Sequence, residues 1–145
     1  MKEQWRLLQT GFNTAFSNMA IDRAILVANS KGKVPPTVRF YGWIPPAISI
    51  GYFQSLADEV DIRACERLGV DYVRRITGGG AVFHDKELTY SIVIPAAHPE
   101  IPTHIAKRIL GEKIIIFLMN LIGVKAKHPV IEDREGGRDI LVIRK

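Results

Sequence analysis

Short stretches in which apolar and polar residues alternate predict β-strands in the first half of the chain. We expect strands over residues 5–8, 37–41 and 47–52. The last two strands are separated by Pro45-Pro46, which is typical of a turn, so we expect them to form an antiparallel pair.

Two longer stretches follow the helical period instead. The first can be capped by Asn13 or Thr14, runs to about Ser30 and ends at Gly32. One apolar face is expected to consist of Phe16, Ala20, Ala24 and Val27, with Ile21, Ile25 and Ala28 beside them.

A second helix is predicted from a cap at Ser55 or Asp58 to a stop at Gly69. The residues expected to point inward are Val60, Ala64, Cys65 and Leu68. Because Cys65 lies on the apolar face, we expect it to behave as a small hydrophobic residue and not as a nucleophile.

The second half of the chain continues the mixture of strands and helices. Strands are predicted over 70–74 and 88–94, a third helix over 103–122, and two last strands over 124–127 and 140–143. This order predicts an α+β fold, with a mixed, largely antiparallel sheet packed with helices in a single domain over residues 1–145.

The loop that joins the strands at 70–74 and 88–94 carries the strongest chemical signal. It reads Arg74-Arg75-Ile76-Thr77-Gly78-Gly79-Gly80-Ala81-Val82-Phe83-His84-Asp85. Glycine has no Cβ, so backbone amides can approach a ligand, and successive exposed amides bind anions. The paired arginines add charge and bidentate hydrogen bonding, which makes a plain hairpin turn the less favoured interpretation. No helix and no Gly-Lys-Ser/Thr follows, so a Rossmann or P-loop motif is excluded and a phosphate or carboxylate cradle is predicted.

The histidines do not form a recognisable catalytic or metal-binding motif. His84 and Asp85 are neighbours in sequence and would point to opposite faces of a strand, so we do not expect them to pair. His98, His104 and His128 lack the spacing of metal ligands, so no metal site is predicted.

Composition and charge limit the classes of partner. The formal net charge is +5 and the chain has one cysteine, which excludes an internal disulfide. The basic residues are scattered and lack interleaved aromatics, which argues against a nucleic-acid-binding module. The apolar cluster at 114–122 is too short to cross a bilayer, and the N-terminus lacks the apolar core of a signal peptide. We therefore expect a soluble cytoplasmic protein without nucleic-acid or membrane partners.

Four segments resemble the lipoate–protein ligase A group of the biotin/lipoate ligase superfamily. They are Asn-Met-Ala-Ile-Asp (18–22), Arg-Phe-Tyr (39–41) with Ser-Ile-Gly-Tyr-Phe-Gln (49–54), the glycine-rich loop (74–85) and Gly-Arg-Asp-Ile (137–140). The chain is also similar to octanoyltransferases of this superfamily that use a cysteine nucleophile. The resemblance implies a class II biotin/lipoyl-ligase-like catalytic domain that is incomplete at its C-terminus and has no accessory domain.

The activity that this resemblance implies is a two-step ligation. Lipoate and ATP, the latter with Mg²⁺, would give lipoyl-adenylate and pyrophosphate, and the lipoyl group would pass to a lysine of an acceptor domain. The implied acceptors are 2-oxoacid dehydrogenase E2 subunits or the glycine cleavage H protein, and a second polypeptide is one way in which the site could be completed.

The resemblance also implies roles for individual residues. Arg75 matches the arginine that contacts the nucleotide phosphate, and His84 matches the histidine close to the acyl chain. Gly78, Gly79 and Gly80 would form the wall that holds the acyl-adenylate, and Ala81, Val82 and Phe83 would run past the nucleotide. Lys145 is the candidate for the lysine that grips the carboxylate and the α-phosphate.

Two other functions remain open. One is octanoyl or lipoyl transfer between carrier proteins without ATP, but transferases of this kind have a cysteine after the third helix, where this chain has none. The other is a non-catalytic homologue that binds lipoate or an acyl-adenylate. On these grounds the sequence favours the ligase.

Overall fold

The computed structural model describes residues 4–95, which form short strands around one long helix and two short ones. The elements are β1 (Arg6–Asn13), α1 (Ala15–Ser30), β2 (Thr37–Trp43), β3 (Ala47–Ile50), α2 (Leu56–Glu59), α3 (Ile62–Leu68), β4 (Asp71–Arg74), β5 (Val82–His84) and β6 (Thr89–Val93). The third helix at 103–122, the strands at 124–127 and 140–143, and the histidines at 98, 104 and 128 lie outside the described residues.

The strands form two three-stranded sheets, with the orders β1-β2-β6 and β4-β3-β5. Each sheet has one parallel and one antiparallel pair, so the expected mixed α+β fold is confirmed.

The expected antiparallel pair of the strands at 37–41 and 47–52 is wrong, because β2 and β3 belong to different sheets. Pro45 and Pro46 between them have no amide to donate to a ladder, which disfavours a tight hairpin. The carbonyl of Pro46 instead accepts a hydrogen bond from the Asp71 amide at 2.9 Å, which extends the pairing of β3 with β4.

The predicted bounds of the first helix are confirmed, but its buried face differs from the apolar face in the sequence. The Thr14 side chain caps α1 by accepting a hydrogen bond from the Ser17 amide, and Gly32 follows the helix in the left-handed conformation. The buried residues are Ala15, Asn18, Asp22, Ile25 and Asn29, whereas Phe16, Ala20, Ala24 and Val27 are exposed. Polar side chains are buried here because other elements supply their hydrogen-bond partners.

Those partners centre on Arg39 of β2, whose side chain is fully buried. Its Nη1 donates to Asp22 Oδ1 at 2.8 Å and its Nη2 to Asn18 Oδ1 at 2.6 Å. The Tyr41 hydroxyl donates to Asp22 Oδ2 at 3.0 Å, and the Ser91 hydroxyl to Asp22 Oδ1 at 2.8 Å. This buried ion pair therefore connects α1 with β2 and β6.

The second predicted helix is divided into α2 and α3. Val60 has an extended backbone, and Asp61 caps α3 by accepting a hydrogen bond from the Ala64 amide at 2.9 Å. Val60 and Cys65 are buried against Ile50, as expected for inward residues. Leu68, the last residue of α3, is however 69% exposed, so the expectation that it points inward is wrong.

Candidate functional site

The glycine-rich loop crosses the carboxyl end of β3. Ile50 of β3 pairs with Arg74 in the parallel strand β4, and Ser49 pairs with Val82 in the antiparallel strand β5. The loop from 75 to 81 therefore begins on one side of β3 and ends on the other. It is a crossover and not the turn of a hairpin.

Gly51 lets the loop lie directly on the end of β3. A Cβ at this position would stand 2.0 Å from the carbonyl oxygen of Gly79. The Tyr52 amide also donates to the carbonyl of Thr77 at 2.9 Å. Gly79 itself has a φ of +100°, a conformation that glycine adopts without strain.

The Arg75 side chain holds the loop from inside. Its Nη2 donates to the carbonyls of Gly78 at 2.9 Å and Gly80 at 2.7 Å. Its Nη1 donates to the Ser49 carbonyl at 3.0 Å and to Ser49 Oγ at 3.2 Å. Burial lowers the pKa of the guanidinium below its usual value, and the proximity of Tyr41 opposes that shift. The expected phosphate-contacting arginine is thus bonded to the loop itself.

The hydrogen bonds of the loop carbonyls also determine where the loop amides point. In a trans peptide the N–H points opposite to the carbonyl of the preceding residue. The carbonyls of Gly78 and Gly80 point to Arg75, so the amides of Gly79 and Ala81 point away from Arg75. The carbonyl of Gly79 lies against Gly51, so the amide of Gly80 points away from Gly51. Within residues 4–95 no backbone carbonyl accepts a hydrogen bond from these three amides. Neighbouring amides without such a partner are donors from which an anion can accept.

Arg74 stabilises the neighbouring turn. Its Nη1 lies 3.1 Å from the carbonyl oxygen of Gly51, 2.9 Å from that of Tyr52 and 2.5 Å from that of Gln54. Arg75 therefore binds the carbonyl of Ser49, which precedes Gly51 in the chain, and Arg74 binds carbonyls that follow Gly51.

His84 is buried behind the loop. Its ring stacks on Trp43, with ring centroids 4.0 Å apart. Its Nε2 lies 2.7 Å from Ser49 Oγ, and its Nδ1 lies 2.5 Å from Glu87 Oε1. Burial lowers the pKa of the imidazole, with Arg75 acting in the same direction and the hydrogen bond to Glu87 opposing it. The partner of His84 is thus Glu87, while Asp85 is exposed.

The other residues expected to bind ligand lie on both faces of β5. Phe83 is 58% exposed, Ala81 is exposed and Val82 is half-buried. Phe83 and His84 point to opposite faces, as neighbours in a strand do. The structure therefore brings Arg75 and His84 together on one side and leaves Phe83 on the other.

Cys65 is a buried thiol on α3, packed with Ile50 and Val60. Burial raises its pKa, and Asp61 and Glu66 add to the shift. A thiolate is therefore disfavoured, in agreement with the expectation that Cys65 is no nucleophile.

Residues 4–95 lack a metal-binding cluster and a membrane-spanning helix. They contain no group of three or more His, Cys, Asp or Glu side chains that could hold a metal ion. None of their helices is long and apolar enough to cross a membrane. Lys145, the candidate catalytic lysine, lies outside this range.

Comparisons with known proteins identify the family of the chain. Residues 14–142 match the model of the lipoyl protein ligase A/B catalytic domain. The chain belongs to this family. The resemblance expected from the four sequence segments is therefore confirmed, and with it an enzyme-type catalytic domain.

The similar members of the family include both transferases and ligases. Octanoyltransferase LipM of Geobacillus kaustophilus is 49% identical over 116 residues, which cover 79% of this chain and 42% of that protein. A bipartite lipoate protein ligase of Thermoplasma acidophilum, reported with its E2 lipoyl domain, has a TM-score of 0.71 at 30% identity, over 88% of this chain and 49% of the other. Lipoate–protein ligase A bound with ATP has a TM-score of 0.68 at 30% identity, over 92% of this chain and 52% of the other. The chain thus spans about half of the length of these proteins or less.

The sequence pattern does not predict a site role for Ser49, Gly51, Trp43 or Glu87. Gly51 could have been suspected from its position just after a predicted strand, in a segment that resembles the family. Glu87 follows His84 by three residues, a spacing that becomes informative only once the chain is known to turn between them.

Proposed function

We propose that the protein acts in protein lipoylation by transferring an octanoyl group from a carrier protein to a lysine of a lipoyl-acceptor domain. The identity of 49% to an octanoyltransferase, against 30% to two lipoate ligases, favours this transferase function. The comparisons thus favour the alternative that the sequence analysis ranked below ligation.

The observation that carries the proposal is the set of amides at Gly79, Gly80 and Ala81, from which no backbone carbonyl of residues 4–95 accepts a hydrogen bond. Acyl transfer builds negative charge on the carbonyl oxygen in the transition state, and preorganised backbone amides stabilise such a charge. Phe83, two residues after Ala81 in the chain, is 58% exposed and would supply apolar surface for an acyl chain.

A covalent version of this mechanism needs a nucleophile other than Cys65. Cys65 is the one cysteine of the sequence and is buried with a raised pKa. A cysteine nucleophile would therefore have to lie outside these 145 residues, as in a second polypeptide or a longer protein.

A second candidate function is ATP-dependent lipoate ligation. The similarity to a lipoate–protein ligase A bound with ATP favours it. In this case the same amides would hold the phosphate of lipoyl-adenylate, lipoate and ATP with Mg²⁺ would be the substrates, and Lys145 would be the candidate clamp on the reacting groups.

The proposed partners are lipoyl-acceptor domains, such as those of E2 subunits or the glycine cleavage H protein. The bipartite ligase of Thermoplasma acidophilum, reported with its E2 lipoyl domain, supports such an acceptor and a second polypeptide. A cytoplasmic location follows as part of the same proposal.

The purified chain is incubated with an apo lipoyl domain in two separate reactions. One contains octanoyl-acyl carrier protein, and the other contains lipoate, ATP and Mg²⁺. Mass spectrometry of the acceptor should show octanoylation in the first. Lipoylation in the second reaction alone would favour the ligase, and no modification in either would overturn both enzymatic proposals for this chain.

The Arg75→Ala variant tests whether the glycine-rich loop forms the site. We expect its affinity for a non-hydrolysable octanoyl-adenylate analogue to fall by about 1.5–3 kcal/mol, the range for hydrogen bonds to a charged group. Arg67→Ala, which removes an exposed arginine from α3, is the matched control and should bind like the unaltered chain. Equal calorimetric affinities of the two variants would contradict the assignment of the site.

A further inference from the structure

Four side chains form a continuous hydrogen-bonded series behind the glycine-rich loop. Glu87 Oε1 lies 2.5 Å from His84 Nδ1, His84 Nε2 lies 2.7 Å from Ser49 Oγ, and Ser49 Oγ lies 3.2 Å from Arg75 Nη1. Arg75 then binds the carbonyls of Gly78 and Gly80. The series connects the carboxylate of Glu87, three residues after His84, with the glycine-rich loop.

The chemistry of the groups determines which atom donates in each hydrogen bond. An ionised carboxylate only accepts, so the proton of a neutral His84 lies on Nδ1 and points to Glu87. His84 Nε2 then accepts from the Ser49 hydroxyl, and the lone pairs of Ser49 Oγ remain free to accept from Arg75. Each hydrogen bond of the series therefore has one donor and one acceptor.

Glu87 is itself held in place. Its Oε1 accepts a hydrogen bond from the Thr89 hydroxyl at 2.8 Å, and Thr89 accepts from Trp43 Nε1 at 2.7 Å. Lys86, with a φ of +50°, turns the chain so that Glu87 returns to the imidazole three residues earlier. The orientation of the histidine is therefore fixed by both its carboxylate and the stacked indole.

The series has the order of a serine–histidine–carboxylate triad, but burial argues against a nucleophilic serine. Ser49 is 2% exposed, and its hydroxyl lies between His84 and Arg75. A substrate carbonyl has no access to an oxygen enclosed in this way. The group at the end of the series that faces the loop is the guanidinium of Arg75.

We infer that Ser49, His84 and Glu87 are positioning residues, which hold Arg75 and through it the glycine-rich loop in the shape that presents three amides to the ligand. The identity of that ligand rests on the proposed function, whereas the positioning itself does not. The glycine-rich sequence by itself does not determine the direction of its amides, so contacts with residues outside the loop have to determine it.

The test uses the ¹⁵N-labelled full chain and the variants Glu87→Gln and Ser49→Ala. Asp85→Asn is the matched control, because it removes an exposed carboxylate beside His84 that does not contact the ring. Nuclear magnetic resonance reads the protonated ring nitrogen of His84 and the amide signals of Gly78, Gly79 and Gly80. Thermal unfolding verifies that each variant is folded.

We expect the His84 proton on Nδ1 in the unaltered chain. Both test variants should shift the three glycine signals, and the control should leave them in place. The Kd for the octanoyl-adenylate analogue should rise about three- to ten-fold in Glu87→Gln, as when a hydrogen bond to a charged acceptor is replaced by one to a neutral acceptor, and stay unchanged in Asp85→Asn.

A proton on Nε2, or unchanged glycine signals in both folded test variants, would overturn the inference. Failure of the unaltered chain to bind the analogue would instead count against ligation, the second candidate function, and failure to octanoylate the acceptor domain would count against the proposed transfer. The resonance measurements need no ligand, so they decide the inference in that case too.

Discussion

The space and the hydrogen-bond partners at each position determine which residues fit around the loop. Gly51 is required because the Gly79 carbonyl occupies the position of its side chain. Arg75 donates its terminal N–H groups to backbone and hydroxyl acceptors, and in doing so fixes the direction of the Gly78 and Gly80 carbonyls. A cationic side chain thus organises the backbone of the candidate site.

Gly51→Ala should destabilise the protein by about 1–3 kcal/mol, the usual cost of overpacking, because its Cβ would stand 2.0 Å from a carbonyl oxygen. Gly78→Ala is the matched control for stability, since a Cβ there meets no atom within 4 Å. Urea unfolding measures both variants. A Gly51→Ala protein as stable as the control would contradict the close approach of the loop to β3.

The burial of His84 predicts a pH dependence of stability. Because its pKa is lowered on folding, the unfolded chain binds more protons once the pH falls below about 6.5, the usual value for histidine. The free energy of unfolding that neutral His84 contributes is complete above that pH and is lost on acidification. Urea unfolding from pH 8 to 5 should show a shallower decline in His84→Gln; parallel curves would refute the assignment.

Buried polar contacts, and not apolar contacts alone, join the helix α1 to the strands β2 and β6. The buried face of α1 presents Asp22 and Asn18 to Arg39 of β2, and Ser91 of β6 completes the cluster. Arg39 also lies over the ring of Tyr41, 3.9 Å from its centroid. Such a cluster makes the helix position specific, because any other placement would leave a buried charge unpaired.

Asp22→Ala should lower the free energy of unfolding by about 3–5 kcal/mol, because it leaves the buried Arg39 guanidinium without its counter-charge. Glu66→Ala, at an exposed position on α3, serves as the control and should stay within about 0.5 kcal/mol of the original chain. Chemical denaturation of both variants decides between a structural ion pair and a dispensable one.

In the molecule from residue 4 to 95, aromatic contacts connect the two sheets. Tyr41 and Trp43 of β2 lie with ring centroids 5.6 Å apart, and Trp43 stacks on His84 of β5. Ala15 and Ala47 complete this core cluster. The candidate site is therefore assembled on the contact between the sheets and depends on both.

Trp43→Ala should cost about 3–5 kcal/mol and loosen both sheets together, because it removes the ring that lies between them. Amide hydrogen exchange of β2 and β3 should accelerate in parallel. Ile44→Ala is the neighbouring control, since Ile44 is exposed. Acceleration confined to β2 would show that the sheets open independently.

Several features were predictable from the sequence because they depend on local chemistry. Thr14 and Gly32 delimit α1 through a cap and a left-handed residue, and Gly69 ends α3 in the same way. The family and the mixed fold were predictable from the glycine-rich motif and its flanking segments. The direction of burial in α1 was not, because periodicity does not reveal that Arg39 on a distant strand makes polar residues suitable for the interior.

The sequence by itself predicts an anion-binding loop from a glycine-rich segment beside two arginines, since the absence of side chains and the nearby charge are properties of the residues. Only the tertiary structure decided where that loop lies and which groups hold it. The pairing of β3 with both β4 and β5 places the loop over Gly51, and burial brings Ser49, His84 and Glu87 behind Arg75. These contacts join residues far apart in the chain, and their geometry follows from strand order and packing, which no local pattern encodes.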